Sequence, residues 1–559
     1  MKMLLIAINS KYIHSNLAVY SLKAFAHENV KNIGIREYTI NNRFEEVFQS
    51  IFDENPEVLF FSCYIWNIEM VKKIASQINK VLPKVEIWMG GPEVSFDSVK
   101  FMDENRYIKG IIKGEGELSF KQLSDYYISR NLELRDINGI IFRENDQIVE
   151  NPLNEIIDMD SLIFPYGDLK DFENRIIYYE SSRGCPFSCS YCMSSIDKSL
   201  RFKNISKVKE ELQFFLDHKV KQVKFVDRTF NAKSDFALEV WKYILQHDNG
   251  ITNFHFETAA DLFNGQQIEI LSKMRKGLVQ IETGVQTTNA ETLKEIRRVM
   301  DFEKVSEMTL KIKNSGNVHQ HLDLIAGLPF EDYKTFVNSF NAVYVLKPDN
   351  LQLGFLKVLK GSFMYDNVKE YGIEYNDNPP YEIFSNKWIK YSEILRLKKV
   401  EEVLEIFHNS GHFNGVIEFL ETKFCNPFKL YEGLGEFYFK HGKFEKHNRI
   451  NNYNILLGFC VENDPENEAK YRELLTHEVY LREKIKTRPG FAFDQKKYDD
   501  IIKEKYKELF NAGFFLGYEN FSFRQVVNMT HMEIYEHMDY KKYVLYDYLR
   551  GRTHSGKIC

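Results

Sequence analysis

Cys185, Cys189 and Cys192 stand within eight residues of one another, inside the run Glu180–Ser195 (ESSRGCPFSCSYCMSS). A C-x3-C-x2-C array lets three thiolates wrap one face of a soft metal centre. An iron–sulfur cubane has four irons and normally takes four thiolates, so three would leave one iron open to another ligand. Gly184 and Pro186 suit a tight loop. Just upstream, Arg175–Glu180 reads as a short buried strand. The array therefore belongs on a loop at the carboxyl end of a strand, where α/β proteins place their chemistry. Other uses of the cysteines fit less well. Disulfides are disfavoured by the odd count and by a reducing compartment. Zinc asks for a fourth Cys or His at short spacing, and the next histidine, His218, is 26 residues on. The chain has seven cysteines in 559 residues, and Cys63, Cys425, Cys460 and Cys559 are scattered and read as ordinary.

The elements that must position this loop alternate in type. Strand-like runs at Arg175–Glu180, Val223–Val226, His255–Thr258, Leu278–Glu282, His321–Ala326 and Asn350–Phe355 are separated by helical patterns. Six such units predict a partial (β/α)6 barrel of the TIM type over residues 175–360. Polar residues at the strand ends are the candidates for ligand contact: Asp227–Phe230, Glu257, Asp261, Glu282–Thr287 and Leu324–Pro329.

Residues 1–135 alternate in the same way. Met3–Ile8, Val58–Ser62, Val85–Met89 and Ile108–Lys113 read as strands, with helical spacing over Ser15–Glu28 and Ile68–Leu82. This predicts a doubly wound, Rossmann-like parallel sheet with its ligand at the strands' carboxyl ends. The loops there are Asn9–Ser15, Cys63–Asn67, Gly90–Ser95 and Gly114–Glu117. Their glycines would let backbone approach a large flat ligand, or serve only as turns. Neither glycine pair makes the dinucleotide fingerprint G-x-G-x-x-G. Residues 136–174 read as a connector, with a hairpin turning at Asn145-Asp146.

The cysteine spacing, with aromatic Tyr191 before the third cysteine, resembles the signature of the radical S-adenosylmethionine (SAM) enzymes. In that family the three cysteines hold a 4Fe–4S cluster whose open iron chelates SAM. One electron then cleaves SAM to methionine and a 5′-deoxyadenosyl radical. The resemblance implies SAM-site roles for Tyr191, Asp227, Thr229, Glu257, Glu282, Gly284, Gln286 and Gly327. For the carboxylates an ion pair or a helix cap is the alternative. Arg228 stands between a SAM contact and a substrate contact.

Beside that signature, NSKYIHSN (9–16), SCYIWN (62–67), GGPEVS (90–95) and GEGE (114–117) resemble the N-terminal domain of the cobalamin-binding radical SAM enzymes, over most of residues 1–120. This implies cobalamin contacts from Tyr12, His14, Ser62, Tyr64, Gly90, Gly91, Pro92, Glu93, Gly114, Glu115 and Gly116. For His14 a plain loop position is the alternative. The D-x-H-x-x-G motif that supplies a lower cobalt ligand in other cobalamin domains is absent, as is usual in this branch.

Residues 361–559 change to long helical patterns rich in aromatics: Phe384–His408, Asn414–Phe424, Pro427–His441, Glu466–Lys486, Lys496–Phe510 and Met529–Leu549. They predict a mostly α-helical domain, and they resemble a C-terminal domain of unknown function found after some cobalamin-binding radical SAM enzymes. The net charge of −6 makes no electrostatic case for nucleic acid. No run of 18 apolar residues predicts a membrane span, and a cytoplasmic location is expected. The family implies an external flavodoxin- or ferredoxin-type electron donor. The leading expectation is a cobalamin-dependent radical SAM methyltransferase acting on an unactivated carbon of an unknown substrate. A radical rearrangement or cyclisation, and a non-catalytic cobalamin sensor, are the alternatives.

Overall fold

The computed structural model describes residues 1–441, 449–515 and 521–558. The chain divides into two compact units, Met1–Pro348 with Leu353–Tyr391, and Asp349–Gln352 with Ser392–Cys559.

The first unit begins with β1 (Met3–Asn9), β2 (Ile33–Thr39), β3 (Val58–Ser62), β4 (Glu86–Gly90), β5 (Gly110–Ile112), β6 (Ile140–Glu144) and β7 (Gln147–Glu150). They form one sheet in the order β2-β1-β3-β4-β5-β6-β7. β1 (MLLIAIN) is buried along its whole length, as a central strand covered on both faces must be. Helix Ile68–Val81 buries Ile68, Val71, Ile74, Ala75 and Ile78, a single stripe at helical spacing. The order reverses between β1 and β3, and ligands of such sheets bind at that switch point. The sequence reading omits β2, whose run IGIREYT carries too little apolar alternation to stand out. The hairpin does form, with Asn145 and Asp146 at positive φ. It adds β6 and β7 antiparallel to the edge of this sheet, so the connector's first part belongs structurally to the N-terminal layer.

The second sheet of this unit uses β8 (Ile177–Tyr179), then, beyond a two-residue ladder of β9 (Ser182–Arg183) and β10 (Arg201–Phe202), β11 (Gln222–Phe225), β12 (Asn253–Thr258), β13 (Val279–Gln286), β14 (His319–Ala326) and β15 (Asn350–Phe355). The order β15-β14-β13-β12-β11-β8 is that of an open, partial barrel. Burial alternates strictly along β12, β13 and β14. Apolar residues such as Phe256, Ile281 and Leu324 turn outward to the helices, and His255, Glu257, Glu282, His321 and Asp323 turn to the lumen. β13 runs to Gln286, past the predicted end at Glu282, so Glu282 and Gly284 are mid-strand lumen residues rather than loop residues.

The second unit is mostly helical, as expected, with helices Asn414–Glu421, Pro427–His441, Arg449–Asn463, Glu468–Tyr480 and Asp499–Asn511. Met529–Leu549 departs from the helical expectation. Strands Thr530–Tyr535 and Lys542–Asp547 pair antiparallel there, with Arg552–Lys557 as a third strand. Their residues are mainly buried on both faces, and an apolar run without alternation does not distinguish strand from helix. Among the described residues no helix is long and apolar enough to cross a membrane.

Candidate active site

The cysteine loop, residues 184–200, is closed at its base by β9 and β10, which place Arg183 opposite Arg201. Gly184 has φ +88°, and a Cβ there would lie 2.6 Å from the Ser199 carbonyl oxygen, so the turn admits only glycine. The Cys185 N–H donates to Asp197 O at 3.1 Å, the Cys192 N–H to Cys189 O at 3.1 Å and the Ser190 N–H to Ile296 O at 2.9 Å. Cys185 and Cys189 are buried, Cys192 is partly exposed, and all three are unpaired thiols. The Thr229 hydroxyl lies 3.7 Å from Cys185 Sγ. Arg298, which the sequence reading did not single out, donates to Cys189 Sγ at 3.6 Å and to the Gly284 carbonyl. Burial pushes the Cys189 thiol up, and the Arg298 guanidinium opposes it. Tyr191 is driven up by burial beside the same arginine.

The predicted SAM-site carboxylates take up three different situations. Asp227 is fully buried. It accepts from Ser181 N–H at 3.0 Å, Ser181 Oγ at 2.6 Å and Ser182 Oγ at 2.5 Å. Both its oxygens are thus engaged with the segment that enters the cysteine loop, which corrects the expectation of a ligand-facing carboxylate. Burial still pushes it up to about 6. Glu282 accepts from Lys224 Nζ at 3.0 Å and lies 3.0 Å from His255 Nε2. Burial works to raise it, but His255 and Lys224 prevail and hold it at about 2. Glu257 faces the same lumen, and burial pushes it up to about 7 despite nearby Arg228. Gly284 leaves room for the Gln286 side chain, since a Cβ would meet Gln286 Nε2. Gly327, at φ +88°, abuts Ile383 and accepts from Asn386 Nδ2 at 2.9 Å. Asp261 accepts from the Asp301 N–H at 3.2 Å, an exposed contact.

A cleft of about 680 Å³ opens at the carboxyl ends of β3, β4 and β5. Ser62, Tyr64, Gly90, Gly91, Pro92, Gly114, Glu115 and Gly116 line it, as do Phe96, Leu153 and, from the barrel side, Glu180, Arg183 and Ile196. Gly91 has φ +112°, and a Cβ would sit 2.4 Å from Cys63 O. Three predicted contacts lie elsewhere. Tyr12 is exposed. His14 lies 2.7 Å from the Tyr178 hydroxyl through Nδ1, at the seam with β8, and burial lowers it. Glu93 is buried and accepts from Tyr381 OH and Lys360 Nζ. Glu115 lines the cleft, yet its carboxylate is spent on Arg201 Nη2 at 2.6 Å and Ile157 N–H at 3.0 Å. Loop motifs mark where a backbone bends, not where its carboxylates end up, and nothing in the sequence marks Leu153 or Ile196 as cleft residues.

Family models bear on these two sites separately. A B12 binding domain model matches residues 3–124, and a radical SAM superfamily model matches residues 179–343. The chain belongs to the cobalamin-binding radical SAM enzymes. A third model, a protein family of unknown function, matches residues 369–550. This cobalamin-binding radical SAM enzyme is 26% identical over 342 residues to an uncharacterised methyltransferase of Pyrococcus horikoshii, covering 59% of this chain and 71% of that one. It is 25% identical to the cobalamin-dependent radical SAM methyltransferase TokK of Streptomyces tokunonensis, over 50% of this chain and 44% of that one. It is 23% identical to the anaerobic magnesium-protoporphyrin IX monomethyl ester cyclase of a Synechocystis species, over 58% and 69%. The chain thus spans less than half of TokK. Among solved structures, OxsB with aqua-cobalamin bound matches with a TM-score of 0.60 at 13% identity, covering 91% of this chain and 84% of that one. TsrM from Kitasatospora setae with cobalamin and a [4Fe-4S] cluster matches at 0.54 and 15%, covering 68% and 79%. At such identity these likenesses show the fold.

The cofactors of this family are a 4Fe–4S cluster, SAM and cobalamin, and the residues present fit them. Around the cysteine loop, Ser190 Oγ and Arg298 Nε are buried with no hydrogen-bond partner among the described residues, and Gln286 Oε1 is in the same state. Native proteins rarely leave such atoms bare unless a group or water meets them. No three His, Cys, Asp or Glu side chains gather to hold a single ion among the described residues. One zinc would draw its thiolates to about 3.8 Å of each other, from Zn–S bonds of about 2.3 Å. A cubane spreads its thiolates over separate irons, as three unpaired thiols on one loop allow.

Proposed function

We propose that this protein is a cobalamin-dependent radical SAM methyltransferase acting on an unactivated carbon. One observation carries the reading. The cleft lined by Gly90–Pro92 and Gly114–Gly116 is walled on its other side by Glu180, Arg183 and Ile196, which belong to the segment bearing the three cysteines. The cleft that would receive the corrin therefore borders the segment that would carry the cluster. When bound there, the cofactors would supply a 5′-deoxyadenosyl radical and a cobalt-borne methyl group. Cys185, Cys189 and Cys192 would hold the cluster, with Arg298 and Thr229 beside their sulfurs. Gly284, Gln286 and Gly327 would accommodate SAM, and Glu257 with Arg228 would meet its charged or hydroxyl groups. Glu282 is paired with Lys224 and lies against His255, so its carboxylate is engaged within the lumen. The glycines at 90, 91, 114 and 116 would receive the corrin, with Ser62, Tyr64 and Pro92 at its edge. Boundaries near residues 135, 175 and 360, a cytoplasmic setting and a flavodoxin- or ferredoxin-type electron donor complete the proposal.

The test is product analysis on protein reconstituted with iron, sulfide and cobalamin. Methyl transfer requires S-adenosylhomocysteine as well as 5′-deoxyadenosine from SAM. Deoxyadenosine alone would rule out methylation and favour the cyclisation reading, which the likeness to the protoporphyrin ester cyclases supports. A sensor would keep its cobalamin response after Cys185→Ala, Cys189→Ala and Cys192→Ala, whereas an enzyme would lose all turnover.

A further inference from the structure

Two arginines at the stem of the cysteine loop reach out of the barrel to the same cleft-lining loop. Arg183 donates to Glu117 through Nη1 at 3.3 Å and through Nη2, holds Glu180 through Nε at 2.9 Å and lies 3.5 Å from Glu115. Arg201, its cross-strand partner, reaches Glu115 at 2.6 Å and Asp197 at 2.9 Å, and donates to Ile157 O at 2.8 Å. Glu115 and Glu117 are the two carboxylates of the GEGE loop, whose glycines line the cleft. A second link is independent of the first. Lys360 Nζ is 3.2 Å from Glu93, in the other glycine loop of the cleft. Four residues on, the Met364 N–H donates to Ser190 O, between the second and third cysteines, at 2.9 Å. Each glycine loop of the cleft is thus tied to the cysteine loop by its own bridge, mostly through poorly exposed ion pairs. Side-chain exposure is 16% for Arg183 and 7% for Glu117.

We propose that Arg183 and Arg201 are positioning residues that couple the two cofactor sites, so that cobalamin in the cleft and a cluster on Cys185, Cys189 and Cys192 each tighten binding of the other. The inference rests on the two-cofactor reading above. Residues 184–200 have no helix or strand of their own beyond one short turn, so a cluster on their sulfurs would restrict them further. The arginine forks fix the GEGE loop against the same segment, and a planar bidentate fork transmits geometry as well as charge. Whichever cofactor binds first lowers the ordering cost met by the second. Linkage makes the effect reciprocal and equal in both directions.

The experiment titrates hydroxocobalamin into the full chain, with and without prior reconstitution of the cluster, and reads binding by equilibrium dialysis with absorbance. The wild-type protein should bind hydroxocobalamin about tenfold more tightly when the cluster is present, within the usual range of such couplings. In the Glu115→Gln, Glu117→Gln double variant that ratio should fall toward one, whatever happens to either affinity alone. Arg183→Lys keeps the charge without the fork and should give an intermediate ratio. A purely structural role would weaken both affinities and leave the ratio intact. An unchanged ratio in the double variant, or a ratio of one in the wild type, would overturn the coupling. If the double variant does not fold, Arg183→Lys carries the test alone, and an unchanged ratio there overturns the proposal. Failure of the wild-type protein to bind either cofactor would instead overturn the two-cofactor reading, and the coupling with it.

Discussion

Replacing Asp227 by asparagine probes the buried carboxylate that anchors the entry to the cysteine loop. Asp227 is fully buried and accepts three hydrogen bonds from Ser181 and Ser182. Burial raises it from 3.8 to about 6 in the folded chain. A folded value above the unfolded one means that protonation stabilises the fold. That contribution is whole below pH 3.8 and is lost as pH rises through 6. The complete loss is about 3 kcal/mol, from about 1.4 kcal/mol per unit. About 1–1.5 kcal/mol of it falls between pH 5 and pH 7.5 by the same linkage. Asparagine is neutral and nearly isosteric. Its Oδ1 can keep the Ser181 N–H, and the serine hydroxyls can rotate to accept from its amide. The Asp227→Asn protein should therefore gain about 1–1.5 kcal/mol relative to the wild type between pH 5 and pH 7.5. Urea unfolding of the apoprotein at the two pH values, with both proteins followed by the same probe, measures that difference. A flat difference, or one that grows in favour of aspartate, would refute the reasoning. Asp227→Ala leaves three donors without their acceptor and should cost about 3 kcal/mol or more at either pH.

Gly184→Ala forces a Cβ into the left-handed region, at about 1–2 kcal/mol, and into the Ser199 carbonyl. Iron bound after reconstitution should fall several-fold, while Gly167→Ala, where a Cβ meets nothing within 4 Å, should bind iron normally. Arg298→Gln removes the guanidinium that donates to Cys189 Sγ. The reconstituted cluster should become harder to reduce, by tens of millivolts as a rough scale for one lost neighbouring charge, with Arg298→Lys in between. Redox titration by electron paramagnetic resonance reads the shift, and an unmoved potential would remove Arg298 from the site.

Legibility along the chain follows how local each feature is. The C-x3-C-x2-C loop needed only neighbours in sequence, and Gly184 with its positive φ is a property of one turn. The alternating runs that made β1, β3 and β11–β15 bury one face or both, so composition exposes them. β2 and the strands within Met529–Leu549 escaped because their partners, not their own periodicity, decide their state.

Residue types and spacing alone determined that three thiols share a loop after a strand, that glycines punctuate the ends of the N-terminal strands, and that two α/β layers precede a mainly helical region. Only the tertiary structure decided where the charges go. Glu93, Glu115 and Asp227 were plausible ligand contacts by position, yet each is consumed by a partner distant in sequence: Lys360, Arg201 and Ser181. Arg298 reaches Cys189 across 109 residues of chain, a separation at which no local pattern survives. A buried carboxylate is held by whichever donor folding brings within 3 Å or so, and that identity is written in the packing of the two sheets rather than in any one segment.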